Sequence, residues 1–367
     1  LYLIQSDAND VIVSYGIHLD KLFEQFESKQ LNIKTISHTE ALEKKWNGID
    51  EGILLVHSFK AWPEKQWEEF LSNVKIPLFV VPTEFSGKKE MQKAFGNKKV
   101  SKIVVCTEYY QKFFLKTLEF DTNKVKLIYL PTEDFRPPTL FRKPELKEEI
   151  NQPVILCPAL LTLDKNYDIL LKSVRKLKYK YRNLIFALYL KSHPNLDKEA
   201  REKLLTELHM KAQVHGLGAN IRILLDTQHP YKSYLKLADL VLIPIQNNEN
   251  LYSGTLIDAL VAHKAIVTPD TKLAYDLCKK EAGIYLYTTI KDIEPKTEEG
   301  KEKTKKQSVP MTEDEIVEGI VDNCSIILDS PKIKDIMEEQ NSLLSENHLF
   351  SKISQQYLNL IRRFKNK

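Results

Sequence analysis

Nowhere in this sequence do about 18 apolar residues run together, so no segment is suited to cross a bilayer as a helix. No signal peptide is visible in a sequence that opens on Leu1 rather than Met, and the expectation is a cytoplasmic protein. The four cysteines, Cys106, Cys157, Cys278 and Cys324, are scattered without a C-x-x-C pair. That argues against a disulfide framework or a zinc site and for reduced, buried thiols. Net charge is only +4, too mild to imply nucleic acid. There is no Asp-x-Asp pair, and His193, His215, His229 and His263 do not have the spacing of a metal set. The expectation is no metal and no cofactor.

What the sequence does contain is alternation. At 367 residues, 43% hydrophobic and 28% charged, it has the size of two globular domains rather than one. Strand-like runs at Leu1–Ile4, Ile33–Ile36, Gly52–Val56, Pro77–Val81, Lys102–Cys106 and Lys126–Tyr129 are interleaved with helical stretches at His18–Glu27, Glu64–Asn73, Lys88–Ala94 and Glu108–Leu115. Strand–helix alternation predicts a parallel sheet covered by helices on both faces. Pro131, Pro137, Pro138, Pro144 and Pro153 then interrupt it, marking a linker. Alternation resumes with strands at Val154–Cys157, Leu184–Leu190, Ile221–Leu225, Leu240–Ile245 and Ala265–Thr268. Helices at Tyr167–Tyr181, Asp197–Val214 and Tyr231–Leu237 separate them. The lysine- and glutamate-rich stretch 295–309 reads as an exposed loop, and helices at Glu313–Leu328, Pro331–Ser342 and Phe350–Lys365 follow.

One stretch in the second half carries chemistry. After the apolar run Leu240–Ile245 comes a polar loop, Gln246 to Asn250, then Ser253, Gly254, Thr255 and a helix over Leu256–His263. Small residues at a helix start leave backbone N–H groups reachable, and with the helix dipole these bind anions. The same pattern also begins ordinary helices. Asp258, one turn in, is placed either to meet a ribose hydroxyl beside bound phosphates or to face solvent.

Taken together, the chain resembles a glycosyltransferase of the GT-B fold, and within it glycosyltransferase family 4. That resemblance implies an α/β fold of two Rossmann-like domains facing across a cleft: an N-terminal acceptor domain over 1–148 and a C-terminal donor domain over 149–349. A last helix, within 350–367, would cross back to the N-terminal domain. It assigns Asp258 to the donor ribose and Ser253, Gly254 and Thr255 to the diphosphate. The family's pair of acids eight positions apart becomes Asn250 and Asp258 here, and Asn250 is assigned to the sugar hydroxyls. In ALLTLDK, Lys165 matches the family's phosphate-binding lysine, while Leu160 stands where the family has arginine. Lys191, in LYLKSHP, is a substitute cation. Leu225 and Asp226 would lie by the base, Gly16 in the turn near phosphates and acceptor, and Thr107 at the start of a helix.

His57 and Glu84 end successive strands of the first half, where ligands of such sheets gather. Each either lines the site, as a catalytic or acceptor-binding group, or is structural. Lys88, Lys89, Lys93, Lys98, Lys99 and Lys102 form a basic cluster, either solvated or docking the protein at the inner face of an anionic membrane. The activity implied is transfer of a hexose from a UDP- or GDP-linked donor to a glycan or lipid-linked acceptor, retaining and without metal. Two rival readings are a GT-B protein that binds a glycan or partner without turnover, and a sugar-nucleotide epimerase.

Overall fold

The computed structural model describes residues 2–5, 22, 34–37, 41, 52–57, 64–82, 88–132, 152–161, 167–192, 196–225, 231–244, 253–293 and 307–365. Within them the chain forms two compact units. One comprises residues 1–135, 247–261 and 344–367, the other 136–246 and 262–343.

The first unit holds six parallel strands: β1 (Tyr2–Gln5), β2 (Lys34–Ser37), β3 (Leu54–His57), β4 (Leu78–Val81), β5 (Val100–Val105) and β6 (Val125–Leu127). They lie in the order β2-β1-β3-β4-β5-β6. Their sequences read as unbroken apolar runs because both faces are covered: Leu54 to Val56 and Leu78 to Val81 are fully buried. Helix α1 (Glu64–Asn73) shows why a periodic stretch becomes a helix here. Trp67, Phe70 and Leu71 fall on one face and are buried, while their neighbours are exposed. Helix α2 (Lys88–Gly96) buries Met91 and Phe95 in the same way.

Helix α3 (Glu108–Lys112) starts on Thr107, whose hydroxyl accepts the Tyr110 N–H at 3.2 Å. The helix expected through Leu115 instead widens at Phe113–Thr117 into a π-helical turn, filled by the Phe95, Phe113, Phe114 and Phe120 rings. From the far end of the sequence, α11 (Phe350–Lys365) buries Ile353, Tyr357, Leu358 and Ile361. It sets Phe364 edge-on to Phe79 of β4 at 5.3 Å.

The second unit holds β7 (Val154–Leu161), β8 (Ile185–Ser192), β9 (Ile221–Leu225), β10 (Leu240–Leu242), β11 (Ile266–Pro269) and β12 (Ile284–Tyr287). All pairs are parallel, in the order β12-β11-β10-β7-β8-β9. Helices α4 (Tyr167–Lys180), α5 (Lys198–Val214), α6 (Tyr231–Leu237) and α8 (Lys272–Cys278) follow strands, as does α7 (Gly254–Val261), which packs in the first unit. Two more helices, α9 (Glu313–Asp329) and α10 (Pro331–Ser345), complete the second unit. On α9 the buried residues Val317, Ile320, Cys324 and Ile327 keep helical spacing and join the core beneath α4. The rim is laced by Lys172–Glu313 at 2.7 Å and Lys180–Asp329 at 2.5 Å, exposed pairs that add little stability. Glycine 283 touches the backbone of α10 so closely that its N–H reaches the Asn341 side chain at 2.8 Å.

Several boundaries differ from the sequence reading. Strand β7 runs on to Leu161, because β8 continues beside it as far as Leu161 opposite Ser192. Residues 159–161, expected in a strand-to-helix loop, are therefore strand. Gln307–Pro310, whose first three residues fall in the stretch expected as an exposed loop, form β14, antiparallel to β13 (Ile290–Ile293). Main-chain pairing holds them there, and neither strand has an apolar run to announce it. Helix α8 and strand β12 were not anticipated. The helix after the polar loop begins at Gly254 and ends at Val261, so His263 lies in a turn with φ of +56°.

That left-handed conformation costs a residue with a Cβ about 1 kcal/mol, and glycine much less. We expect His263→Gly to be more stable than His263→Ala by about 0.5 kcal/mol once glycine's extra chain entropy is counted. Thermal unfolding beside His263→Ala, which keeps the strain, measures it. Burial, assisted by Lys264 and opposed by Glu338, lowers the pKa of the His263 imidazole. Since the folded protein disfavours the charged ring, wild type loses stability as pH falls below the unfolded value of about 6.5, and His263→Gly does not share that loss.

Candidate functional site

Doubly wound sheets bind ligands at the carboxyl ends of their strands, beside the point where strand order reverses. In the first sheet that point lies between β1 and β3, and in the second between β7 and β10. In sequence, the residues singled out end or follow the strands of the two sheets. Gly16, Glu84, Lys165, Asp226 and Asn250 lie outside the described residues, as do the side chains of His57 and Leu160. The backbone of His57 ends β3, opposite Val81 of β4.

Helix α7 belongs to the first unit. Ser253 caps it: its hydroxyl accepts the Leu256 N–H at 3.2 Å and lies 3.0 Å from the Thr255 hydroxyl. The Ser253 carbonyl accepts the Ile257 N–H at 3.2 Å, the first bond of the helix. The amides of Gly254 and Thr255 come before any intrahelical acceptor and stand at the positive end of the dipole, Gly254 buried and Thr255 half-buried. No acidic residue stands in that turn to neutralise it. One turn further in, Asp258 Oδ1 accepts a hydrogen bond from the Thr132 hydroxyl at 2.6 Å.

Thr132 is itself held hard. It is 1% exposed. Its N–H donates to the His348 carbonyl at 2.8 Å and its carbonyl accepts the Phe350 N–H at 3.1 Å. The ring of His348 is buried, with Nδ1 3.0 Å from the Leu130 carbonyl and its centroid 5.4 Å from that of Tyr129. The Tyr129 hydroxyl donates to Glu108 at 3.2 Å.

In the second unit, parallel register sets Lys191 of β8 directly beside Leu160 of β7, with Lys191 exposed. Leu225 ends β9 beside Leu190. The carboxyl end of β10 is anchored from within: the Tyr287 hydroxyl donates to the Ile243 carbonyl at 3.0 Å. Burial, with Cys157, Cys324 and Asp270 nearby, raises the Tyr287 pKa well above its usual value, so it stays a neutral donor. Thr132 and Tyr287 are the residues that sequence reading missed. Each is a lone side chain whose partner lies far along the chain, and no spacing or composition marks it.

Other chemistries find little support. Burial raises the thiol pKa of Cys278 and Cys324, and Cys106 and Cys157 are buried, so none is a ready thiolate. Among the described residues no group of three or more His, Cys, Asp or Glu is placed to hold a metal ion. None of the described helices is long and apolar enough to cross a membrane. In the basic cluster, Lys93 pairs with Glu68 at 2.8 Å, and the Lys99 ammonium bonds the Leu71 and Ser72 carbonyls at the end of α1. Lys102 bonds the Asn123 carbonyl at 2.5 Å.

No protein-family model matches the sequence, and no curated protein matches it either. Solved structures do resemble the fold. A glycosyltransferase from Rickettsia africae ESF-5 is similar with a TM-score of 0.68 at 13% identity, covering 100% of this chain and 99% of that one. HepE of Anabaena, solved in complex with UDP, gives 0.69 at 12% identity, covering 99% of each chain. The pneumococcal O-GlcNAc transferase GtfA, in complex with UDP and GlcNAc, gives 0.58 at 13%, covering 86% of this chain and 57% of that one. At such identities the likeness is one of fold: two parallel sheets wound with helices in the GT-B manner.

Proposed function

We propose that this protein is a glycosyltransferase that moves a hexose from a UDP- or GDP-linked donor to a hydroxyl of a glycan or lipid-linked acceptor. The observation that carries the reading is the start of α7: a serine-capped turn of small residues, without an acid, one turn before Asp258. The fold shared with UDP-bound HepE supports it. In this reading the first-turn amides and Lys165 receive the diphosphate, and Asp258 receives the ribose. Leu225 and Asp226 border the base, and Asn250 meets the sugar hydroxyls. Gly16, His57 and Glu84 serve the acceptor side. Lys191 supplies the cation that Leu160 does not, since register sets the two side by side. These assignments favour family 4 within the fold.

The reaction breaks the bond from the sugar's anomeric carbon to the donor phosphate oxygen and forms one to the acceptor oxygen. The acceptor proton passes to a phosphate oxygen of the leaving nucleotide, and the configuration is retained. Negative charge gathers on the departing diphosphate, where pre-aimed amides and lysines stabilise it without a metal. Lys88, Lys89 and Lys98, exposed on and just after α2, are assigned to contact with an anionic membrane at the cytoplasmic face.

The test is a panel of UDP- and GDP-sugars, read first by binding and then by transfer or hydrolysis. We expect one donor to bind, and Asp258→Ala to weaken it about a hundredfold, the loss of a charged group's hydrogen bonds. No binding of any donor by wild type rejects the proposal. The departures at Asn250 and Leu160 favour one rival, a protein that binds without turnover, which binding without any product would establish. Conversion of the donor with no acceptor present would identify an epimerase.

A further inference from the structure

The bond between Thr132 and Asp258 joins residues 126 apart in sequence, and nothing about the cap of α7 requires it. A hydroxyl 2.6 Å from a carboxylate oxygen is within the range of charge-assisted O–H···O⁻ bonds, the stronger class of hydrogen bond. The donor is immobile. Thr132 is fixed through both its N–H and its carbonyl by His348 and Phe350, and its chain runs beside Leu349 in a parallel bridge. Its β-branched side chain has few rotamers. Asp258, by contrast, stands on a helix where a carboxylate ordinarily has several rotamers, so the threonine selects one of them.

We propose that Thr132 is a positioning residue for Asp258, and that the segment 346–350 orients a vicinal diol of the ligand through it. The inference rests on the reading of Asp258 as the group that receives a ribose. An ionised carboxylate accepts several hydrogen bonds at once, so a fixed Thr132 donor and a diol are compatible on one side chain. A diol needs both carboxylate oxygens correctly aimed, and the threonine supplies the aim before the ligand arrives. Pre-set geometry of this kind lowers the cost of binding without adding a contact to the ligand.

Calorimetry on the full chain separates this role from a merely structural one. The probes are UDP and 2′,3′-dideoxy-UDP, which lacks the diol. Wild type should prefer UDP. Thr132→Val, nearly the same shape, should lose up to about tenfold in affinity for UDP, the cost of fixing the freed carboxylate when the ligand binds. It should bind the dideoxy compound as wild type does, and Thr132→Ser, which restores the hydroxyl, should recover most of the loss. Equal preference for UDP in wild type and Thr132→Val overturns the role of Thr132 while leaving the ribose reading intact. An equal loss for both probes also overturns it, by marking a general disturbance of the fold. If wild type does not bind UDP, the same comparison is made with GDP and its 2′,3′-dideoxy form; wild type that binds neither UDP nor GDP, or binds the one it accepts no better than the dideoxy compound, removes the ribose reading itself and the inference with it.

Discussion

Replacing Gly283 by alanine should destabilise the second unit by about 3 kcal/mol or more, the scale of an overpacked core site with no room to relax. A Cβ built on Gly283 would lie 2.1 Å from the Met337 carbonyl oxygen and 2.6 Å from its Cα. Those atoms belong to the backbone of α10, so no side chain can swing aside. Either the helix lifts from the edge of the sheet or the strand start at β12 withdraws, and both break the bonds that join them. The readout is convenient. Trp46, Trp62 and Trp67 all lie in the span 1–135 of the first unit, so tryptophan emission follows that unit, whereas circular dichroism follows both. The dichroism midpoint in urea should fall. A midpoint equal to that of wild type would sink the argument.

The second large effect is expected at Asn341, which is fully buried and spends its whole side chain on the same junction. Its carbonyl accepts the Gly283 N–H at 2.8 Å, and its amide nitrogen donates to the carbonyls of Lys264 at 2.7 Å and Gly283 at 3.1 Å. Asn341→Ala strips these groups of their partner inside the protein, where each unmet polar group costs about 1–3 kcal/mol. The sum should reach about 3 kcal/mol or more. Asn341→Asp should be no better, because a carboxylate cannot donate to the two carbonyls and brings a charge with it. Because Gly283 and Asn341 touch, the double variant should cost less than the two single losses added together. Full additivity would mean that the glycine and the asparagine act on separate parts of the fold.

Neither residue stood out in the sequence, and the reason applies to the fold in general. Elements set by local pattern were legible to the residue. Glu64–Asn73, Ile221–Leu225, Tyr231–Leu237 and Phe350–Lys365 have the bounds expected of them, because periodicity and boundary residues fix them. Parallel strands buried on both faces were also legible, since they leave unbroken apolar runs. What escaped notice depends on partners far away. Strand β14 exists because β13 lies beside it, and the extra length of β7 exists because β8 continues.

The candidate site divides in the same way. Ser253, Gly254, Thr255 and Asp258 could be singled out because a helix start has a local signature. The capping bond from the Leu256 N–H to the Ser253 hydroxyl follows from that signature. Thr132 has none: it is one threonine in TEDFRP, and its meaning comes from Asp258 and from 346–350. Lys191 could be offered as a substitute cation from the sequence, and the strand register adds that it lies directly beside Leu160.

The way the first unit is assembled has a consequence for biosynthesis. Its sheet is made from the opening 135 residues, but α11, which sets Phe364 against Phe79 and pins Thr132, belongs to 344–367. About 200 residues separate the two, so at 5–20 residues per second a ribosome takes roughly 10 to 40 seconds to deliver the second piece. During that interval the second unit is produced in full, while the first carries an uncovered apolar strand face. Such a face is what chaperones recognise and what drives aggregation. The nascent chain should therefore depend on chaperones more heavily for the first unit than for the second, although the sheet of the first is made before the second unit.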